Sequence, residues 1–277
     1  MYPIPTYPLL CILLLLPLNL AGSDRFLSGG RAAGMANASV AFYDTWSVSH
    51  NQAGMMHTGS VTAALYTENR FLLPELSLAG FAVIIPFSGS TLGVSFSGFG
   101  NALYREGKTG IAYARSFGER LSAGLQISYQ FATLAEGSGH NGTAVAELGI
   151  IYELMPGLLI ASHVFNPTMA GRSDCPYSGS CINIPTVIRT GFSYSFSDNV
   201  MLSMETDKDI RLPVVFRAGI EYAPGAAIAI RTGVSTNPLQ NAFGIGFHRG
   251  RLQIDLAAAY HYALGYSPGV SMIYKMH

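Results

Sequence analysis

Six charged side chains lie on the polar faces of neighbouring predicted strands in the C-terminal half of the chain: Arg189, Glu205, Arg217, Glu221, Arg231 and Asp255. Their signs alternate along the series of strands. Side chains that face each other across antiparallel strands can form ion pairs. We therefore predict a structural network of ion pairs, and an ion-selective lining is the alternative use of the same residues.

Motifs for catalysis or metal binding are not found in the sequence. It has no G-x-S-x-G turn, no H-E-x-x-H helix and no phosphate-binding loop. The seven histidines are scattered, and no two of them share a strand face at a spacing of two residues. Asp207 and Asp209 are expected in a solvated outer turn, and Glu147 and Glu153 face inward without forming an acid/base pair. We expect no enzyme, no metal and no other cofactor.

Composition limits the class of protein. Charged residues make up 12% of the chain and hydrophobic residues 49%, whereas soluble proteins usually carry about 25% charged residues. The net charge is zero, so no basic surface for nucleic acid is indicated. Beyond the N-terminus, no apolar run reaches the roughly 20 residues of a membrane helix. A membrane β-barrel fits these values, and a water-soluble β-sandwich is the alternative.

Alternation of apolar and polar residues supplies the main fold signal. Within 121–134, one face carries Leu121, Ala123, Leu125, Ile127, Tyr129, Phe131 and Thr133, whereas serine, glycine and glutamine fill the other. About 14 such runs follow from Ser60 onward, among them 109–116 and 200–206, and single-chain bacterial barrels have an even number of strands. We predict an all-β fold, a transmembrane antiparallel barrel of about 14 strands, over 60–277.

Loop lengths and charge positions orient this barrel. Short Gly-, Pro- and Asn-containing turns alternate with longer connectors, and outer-membrane barrels place the short turns in the periplasm. Both termini are therefore predicted to be periplasmic, in a bacterial outer membrane. An Arg facing lipid at the midplane would cost roughly 2–4 kcal/mol. The six charged residues should therefore face the lumen, while the apolar faces contact outer-membrane lipid.

The first 59 residues differ from the rest. Residues 1–23 form a predicted signal peptide, with the apolar run Leu9–Leu16 and a cleavage site before Asp24. A membrane anchor is the alternative, but the apolar run is too short for one. Residues 24–59 are rich in small residues and alternate poorly, so we predict a plug in the lumen. A periplasmic tail is the alternative for this segment.

Two cysteines follow the signal peptide, Cys175 and Cys181, within a predicted extracellular loop. An exported protein in an oxidising compartment commonly joins such a pair. The C-x-x-C spacing of redox enzymes is absent. We predict a disulfide that closes this loop.

Two N-terminal motifs carry a resemblance to a known family. Gly29-Gly30-Arg31-Ala32-Ala33-Gly34-Met35 and Asn51-Gln52-Ala53-Gly54-Met55 resemble the N-terminal signature of FadL-like outer-membrane barrels, in particular the PorV/PorQ branch of Bacteroidetes-type bacteria. Gln52 stands where that branch has proline. Further strands are similar too, namely Arg217-Ala218-Gly219-Ile220-Glu221-Tyr222, Arg231-Thr232-Gly233 and Phe243-Gly244-Ile245-Gly246-Phe247. The resemblance implies a 14-stranded barrel with an inserted segment that includes Gly29, Gly30, Arg31, Gly34, Asn51, Gln52, Ala53 and Gly54.

The family implies two kinds of function. Our first hypothesis is a non-enzymatic accessory subunit that binds other envelope proteins in protein secretion (type IX-like) or outer-membrane protein assembly, because the outer loops are short and the lumen is crowded. The alternative is transport of small hydrophobic compounds, because Phe99, Met201 and Ile273 interrupt the polar lumen face. A general porin fits less well, since aqueous channels usually need 16–18 strands.

Overall fold

The chain closes into a single barrel. The computed structural model describes residues 29–134, 140–171 and 184–276, so the predicted signal peptide 1–23 and the predicted Cys175–Cys181 disulfide lie outside the described residues. Within the described ranges, fourteen antiparallel strands each pair with their neighbours, and the first pairs with the last. The predicted fold class is confirmed.

Strand lengths differ around the barrel. The strands are β1 Thr62–Asn69, β2 Ser77–Phe87, β3 Ser90–Gly100, β4 Tyr104–Phe117, β5 Leu121–Leu134, β6 His140–Met155, β7 Leu158–Phe165, β8 Val187–Ser197, β9 Val200–Asp209, β10 Val215–Gly225, β11 Ile228–Ser235, β12 Gln240–Arg249, β13 Leu252–His261 and β14 Gly265–Lys275. The longest, β4 to β6, lie side by side. The wall is therefore tallest on that side.

Alternation of side chains gives the barrel an apolar outside. On β5, Leu125 is 46% exposed and Ile127 64%, whereas the intervening Gln126 and Ser128 are buried. Successive residues of a strand point to opposite faces. The same pattern on the other strands makes a continuous outer band of aliphatic and aromatic side chains.

Several strands extend further than the sequence predicts, and β4 and β9 do so at charged residues. β4 begins at Tyr104 instead of 109, and β9 runs on to Asp209 instead of ending at 206. The expectation that Asp207 and Asp209 lie in a solvated turn is wrong, because both side chains are buried on the inner face of β9. Charged residues near a strand end look like a loop in sequence, but here they line the lumen.

Residues 29–59, which we call the inner segment, lie inside the barrel. They form α1 Gly30–Ala33, α2 Ser47–His50 and a 3₁₀ helix Gln52–His57. This segment contacts inward-facing residues on opposite sides of the wall, from β3 to β14. Between β1 and β2, two short 3₁₀ turns cover Arg70–Leu72 and Pro74–Leu76. Among the described residues, no helix is long and apolar enough to span a membrane.

Candidate functional site

Arg31 of the inner segment joins a chain of ion pairs on the wall. Its Nε and Nη2 donate to the two carboxylate oxygens of Glu221 at 2.9 and 2.7 Å. Arg231 Nε donates to the same Glu221 at 2.5 Å, and its Nη1 donates to Asp255 at 2.6 Å. Four residues from the inner segment, β10, β11 and β13 are thus joined, and bidentate Arg–carboxylate pairs fix geometry strongly.

Glu205 on β9 binds the backbone of the inner segment. Its Oε2 accepts the N–H groups of Ser39 and Val40, both at 2.8 Å. Its Oε1 accepts from Arg189 Nε at 2.6 Å, and Arg189 also donates to the carbonyl of His50 at 3.2 Å. The wall charges therefore satisfy buried backbone groups that have no strand or helix partner.

Arg217 has a different partner from the one its register suggests. It lies opposite Glu205 across β9 and β10, but its Nη2 is 3.5 Å from Asp207. Its Nη1 donates to the carbonyl of Ala36 at 3.1 Å. The structure thus brings the six predicted charges onto one side of the lumen, and adds Arg31 and Asp207 to them. We call the charged residues on the inward faces of β8 to β11 and β13 the charged wall: Arg189, Glu205, Asp207, Arg217, Glu221, Arg231 and Asp255.

Glu147, which the sequence places on an inward face where it could meet a basic group, is the centre of a further buried cluster. Glu147 on β6 accepts from Lys108 Nζ at 2.7 Å, from Gln126 at 2.8 Å and from Ser128 at 2.5 Å. His163 Nε2 is 3.5 Å away. Lys108 was missed because it stands before the predicted start of its strand, although the alternation of β4 continues through it.

Asn51 and Gln52 hold the 3₁₀ helix of the inner segment. Asn51 Oδ1 accepts from the N–H of Ala53 at 3.2 Å, and its Nδ2 donates to the carbonyl of Val40 at 2.8 Å. Gln52 Nε2 donates to Glu147 at 3.3 Å. The proline that the PorV/PorQ branch has at this position could not make this last bond, so Gln52 supplies a contact that proline lacks.

Glycines on the inner face let the wall approach the segment. A Cβ added to Gly124 would lie 2.6 Å from the backbone N of Ala53, and one added to Gly219 would lie 2.6 Å from Met35 Cβ. Real Cβ contacts are not that short. The wall and the segment are therefore in direct backbone contact at these points.

The glycines of the inner segment itself also allow close packing. Gly29 has φ of 116°, and a Cβ there would lie 2.7 Å from the ring of Trp46. Gly30 N–H donates to Ser271 Oγ of β14 at 3.0 Å. A Cβ on Gly34 would meet Gly244 at 3.0 Å, and one on Gly54 would meet Ser47 Oγ at 2.6 Å. These positions need glycine because the chain is packed on all sides.

The opposite side of the lumen is apolar. We call it the apolar wall, and its buried members come from β1, β2, β4 and β14: Ala64, Tyr66, Leu78, Ala82, Ile84, Ala112, Ala114 and Ile273. Trp46, Val48 and Met55 of the inner segment pack against it. Phe99 of β3 packs at its edge. The sequence flagged Phe99 and Ile273, but not the rest.

The β1–β2 connection bends over the long-loop end of the apolar wall. The guanidinium of Arg70 lies 5.3 Å from the ring centre of Phe99. Phe71 has φ of 58°, donates its N–H to Ser267 Oγ at 3.0 Å, and packs edge-on against His261. A positive φ is unfavourable for a bulky residue, so these contacts hold the turn over the lumen.

A polar cavity of about 310 Å³ lies at the short-turn end, between the inner segment and the wall. The ring of His57 stacks on Tyr43 there, with centroids 3.6 Å apart. Partial burial lowers the pKa of His57 below its usual value. The described residues hold no group of three or more His, Cys, Asp or Glu side chains placed to bind a metal.

Comparison with known proteins gives matches by fold. No protein-family model and no curated protein matches the chain. The CymD monoaromatic hydrocarbon channel superimposes with a TM-score of 0.72 at 14% identity, covering 92% of this chain and 99% of that one. The Pseudomonas putida toluene transporter TodX gives 0.70 at 11% identity, covering 90% and 98%.

A Pseudomonas aeruginosa FadL homologue gives a TM-score of 0.67 at 11% identity, again covering 90% of this chain and 98% of that one. At such identities the likeness shows the fold. The chain therefore has the fold of FadL-type outer-membrane channels, as the resemblance implies. The finer assignment to the PorV/PorQ branch stays a prediction.

Proposed function

We propose that this chain carries small hydrophobic compounds across a bacterial outer membrane. The observation that carries the proposal is the apolar wall. A water-filled pore has a polar interior. The members of the apolar wall on β1, β2 and β4 depart from that rule, namely Ala64, Tyr66, Leu78, Ala82, Ile84, Ala112 and Ala114. The proteins of like fold named as a monoaromatic hydrocarbon channel and a toluene transporter support it further.

The apolar wall spans most of the height of the barrel. Ile84 and Ile273 lie near the short-turn ends of their strands, and Tyr66 and Leu78 lie near the long-loop ends. All four side chains are buried. A hydrophobic compound entering beside Phe99 would meet apolar side chains along most of its way through the barrel.

The inner segment meets this route mainly through packing, with a hydrogen bond from Thr45 Oγ1 to Thr62 Oγ1 of β1 at 3.1 Å. Trp46, Val48 and Met55 touch the apolar wall by non-directional contacts, and burial of apolar surface is roughly proportional to area whatever the partner. A hydrophobic compound can replace these contacts with contacts of its own. The ion pairs of Arg31 and Glu205 on the other side would stay intact meanwhile.

Uptake tests the proposal. Cells lacking the gene, and cells expressing the protein, would be given labelled toluene or a labelled fatty acid. We expect faster uptake with the protein, and loss of the gain in Ala82→Asp, which places a carboxylate on the apolar wall. Ala229→Asp is the control, because Ala229 is equally buried but faces the lumen from β11. Uptake unchanged by the protein would refute the proposal.

Location and orientation belong to the same proposal. The short turns and both ends of the barrel lie at one end, which we place in the periplasm. Residues 1–23 would then be the signal peptide and 24–59 the plug. Labelling of single cysteines in intact cells tests this: a cysteine at exposed Glu75 should react, and one at Asp198 should react only after lysis.

The accessory-subunit hypothesis gains no support from the comparisons. Its motive was a lumen too crowded to conduct, but a crowded lumen with one apolar side does not oppose passage of a hydrophobic compound. We therefore adopt the transporter alternative. Recovery of a stoichiometric envelope protein in mild detergent would restore the first hypothesis.

A further inference from the structure

A groove lies on the outer, lipid-facing surface of the barrel, separate from the lumen route. It encloses about 570 Å³ across β7 to β10. Its apolar side chains come from Leu158, Ile160, Phe192, Met204 and Phe216, and Thr190, Gly191, Glu205, Thr206 and Arg217 complete the lining. The rest of the outer band contacts the acyl chains of the surrounding lipid. A groove of this size could hold part of a single molecule more specifically.

Thr190 and Thr206 line this groove, and Ser162 continues their row of hydroxyl side chains on the neighbouring strand. Ser162 of β7 lies opposite Thr190 of β8, and Thr190 lies opposite Thr206 of β9. All three share the outward face with the apolar residues of the groove. None of the three hydroxyl groups makes a hydrogen bond within the described part of the chain, although the carbonyl of Ser162 accepts from Asn51 Nδ2 at 3.4 Å. An unpartnered hydroxyl in an apolar environment costs roughly 1–3 kcal/mol, so the row favours a partner from outside the protein.

A cation stands above the row, toward the long-loop end. Lys208 is exposed at the end of β9, on the same face as Thr206 and Met204. Two residues along a strand separate Lys208 from Thr206, which is about 7 Å. Lys208 Nζ donates to the carbonyl of Leu212 at 2.6 Å. An ammonium has three donors, so this bond is compatible with an anionic partner as well.

We propose that the groove binds one outer-leaflet lipid that carries a phosphate on its head group. The order along the wall is cation, hydroxyls, then apolar groove. A lipid presents phosphate, ester or amide carbonyls, then acyl chain in the same order. The phosphate pairs with Lys208, the carbonyls accept from Thr190 and Thr206, and an acyl chain fills the groove. This inference rests on the outer-membrane location in the proposed function, but not on transport.

Native mass spectrometry of the purified full chain tests the assignment. The protein in detergent micelles would be titrated with diphosphorylated lipid A, with its dephosphorylated form, and with phosphatidylcholine. We expect one diphosphorylated lipid A to be retained in preference to the other two. In the triple variant Lys208→Met, Thr190→Val, Thr206→Val, we expect affinity to fall about tenfold, equivalent to about 1.4 kcal/mol.

The matched control is Arg105→Met combined with Thr109→Val. Both residues are exposed on the outer face of β4, away from the groove, and the double variant should bind like the wild type. Equal retention of lipid A by the triple variant and the wild type would overturn the groove site. Equal binding of the dephosphorylated lipid would overturn the phosphate assignment. If the wild-type protein retains lipid A but gives no toluene uptake, only the transport proposal fails. The two proposals can therefore fail separately.

Discussion

The two sides of the lumen hold the same inner segment by different forces. On the charged wall, Glu205 and Arg189 form hydrogen bonds with individual backbone groups of the segment. On the apolar wall, Trp46 and Met55 meet Ile84 and its neighbours through packing alone. Hydrogen bonds are directional and fix the register of the segment, whereas apolar contacts are not directional. The charged wall therefore sets where the segment sits, and under the proposed function the apolar wall sets how easily a hydrophobic compound passes it.

Removing a carboxylate from the charged wall should have the largest effect. Glu205→Leu leaves Arg189 buried without its ion-pair partner and strips the acceptor from Ser39 and Val40. Breaking one half of a buried pair costs about 3–5 kcal/mol. We expect that loss in urea unfolding in lipid vesicles, and faster hydrogen exchange at the two amides.

The control for this variant is Glu75→Leu, since Glu75 is exposed at the long-loop end. Exchange at Ser39 and Val40 that stays as slow as in the wild type would show that the charged wall does not position the segment.

Adding a methyl group where the wall contacts the inner segment should cause the next largest loss of stability. Gly124→Ala places a methyl group 2.6 Å from the backbone of Ala53, and overpacking costs about 1–3 kcal/mol. The control is Gly98→Ala, where the nearest atom, on Phe96, lies at an ordinary 3.7 Å. Equal urea midpoints for the two variants would contradict the close approach.

Introducing the proline that the PorV/PorQ branch has at position 52 should lower the stability by less. Asn51 is extended at φ −161° and ψ 107°, which is the conformation favoured before proline. Gln52→Pro therefore fits the backbone but loses the bond to Glu147, for a net cost of about 1–2 kcal/mol. Gln52→Ala loses the bond without the proline and should be the less stable of the two by urea unfolding. A Gln52→Pro chain that fails to insert would show that the backbone cannot accept proline here.

Loosening the apolar wall should change stability least and uptake most. Ile84→Val removes one methyl group at a cost of about 0.5–1.5 kcal/mol. Because it weakens packing along the proposed route, toluene uptake should rise. Ile151→Val makes the same chemical change at a buried position on β6 and should leave uptake nearly as it was. A larger rise in toluene uptake for Ile151→Val than for Ile84→Val would indicate that the route lies on the other side of the lumen.

The barrel itself could be predicted because alternation is a local signal. Leu121–Leu134 and Leu158–Phe165 match the predicted strands end to end. Lys108, Asp207 and Asp209 were not predicted as lumen residues because they lie near strand ends. A charge that faces a closed lumen and a charge in a turn look alike in sequence. Only the pairing of strands distinguishes them.

The apolar wall could have been suspected from one feature of the sequence. β2 reads S-L-A-G-F-A-V-I-I-P-F and is apolar on both faces, unlike β5, whose inner face is polar. A strand with two apolar faces needs an apolar neighbour on each side. Lipid covers one face of β2, and the neighbour on the other face, Trp46 with Met55, comes from a segment whose position could not be read from periodicity.

The hydrogen bond from Gly30 to Ser271 ties the inner segment to the strand that closes the barrel. β14 pairs with β1 to complete the cylinder. The same strand thus forms the seam of the wall and holds the start of the inner segment, so a change at Ser271 would disturb the closure of the barrel and the position of the segment together.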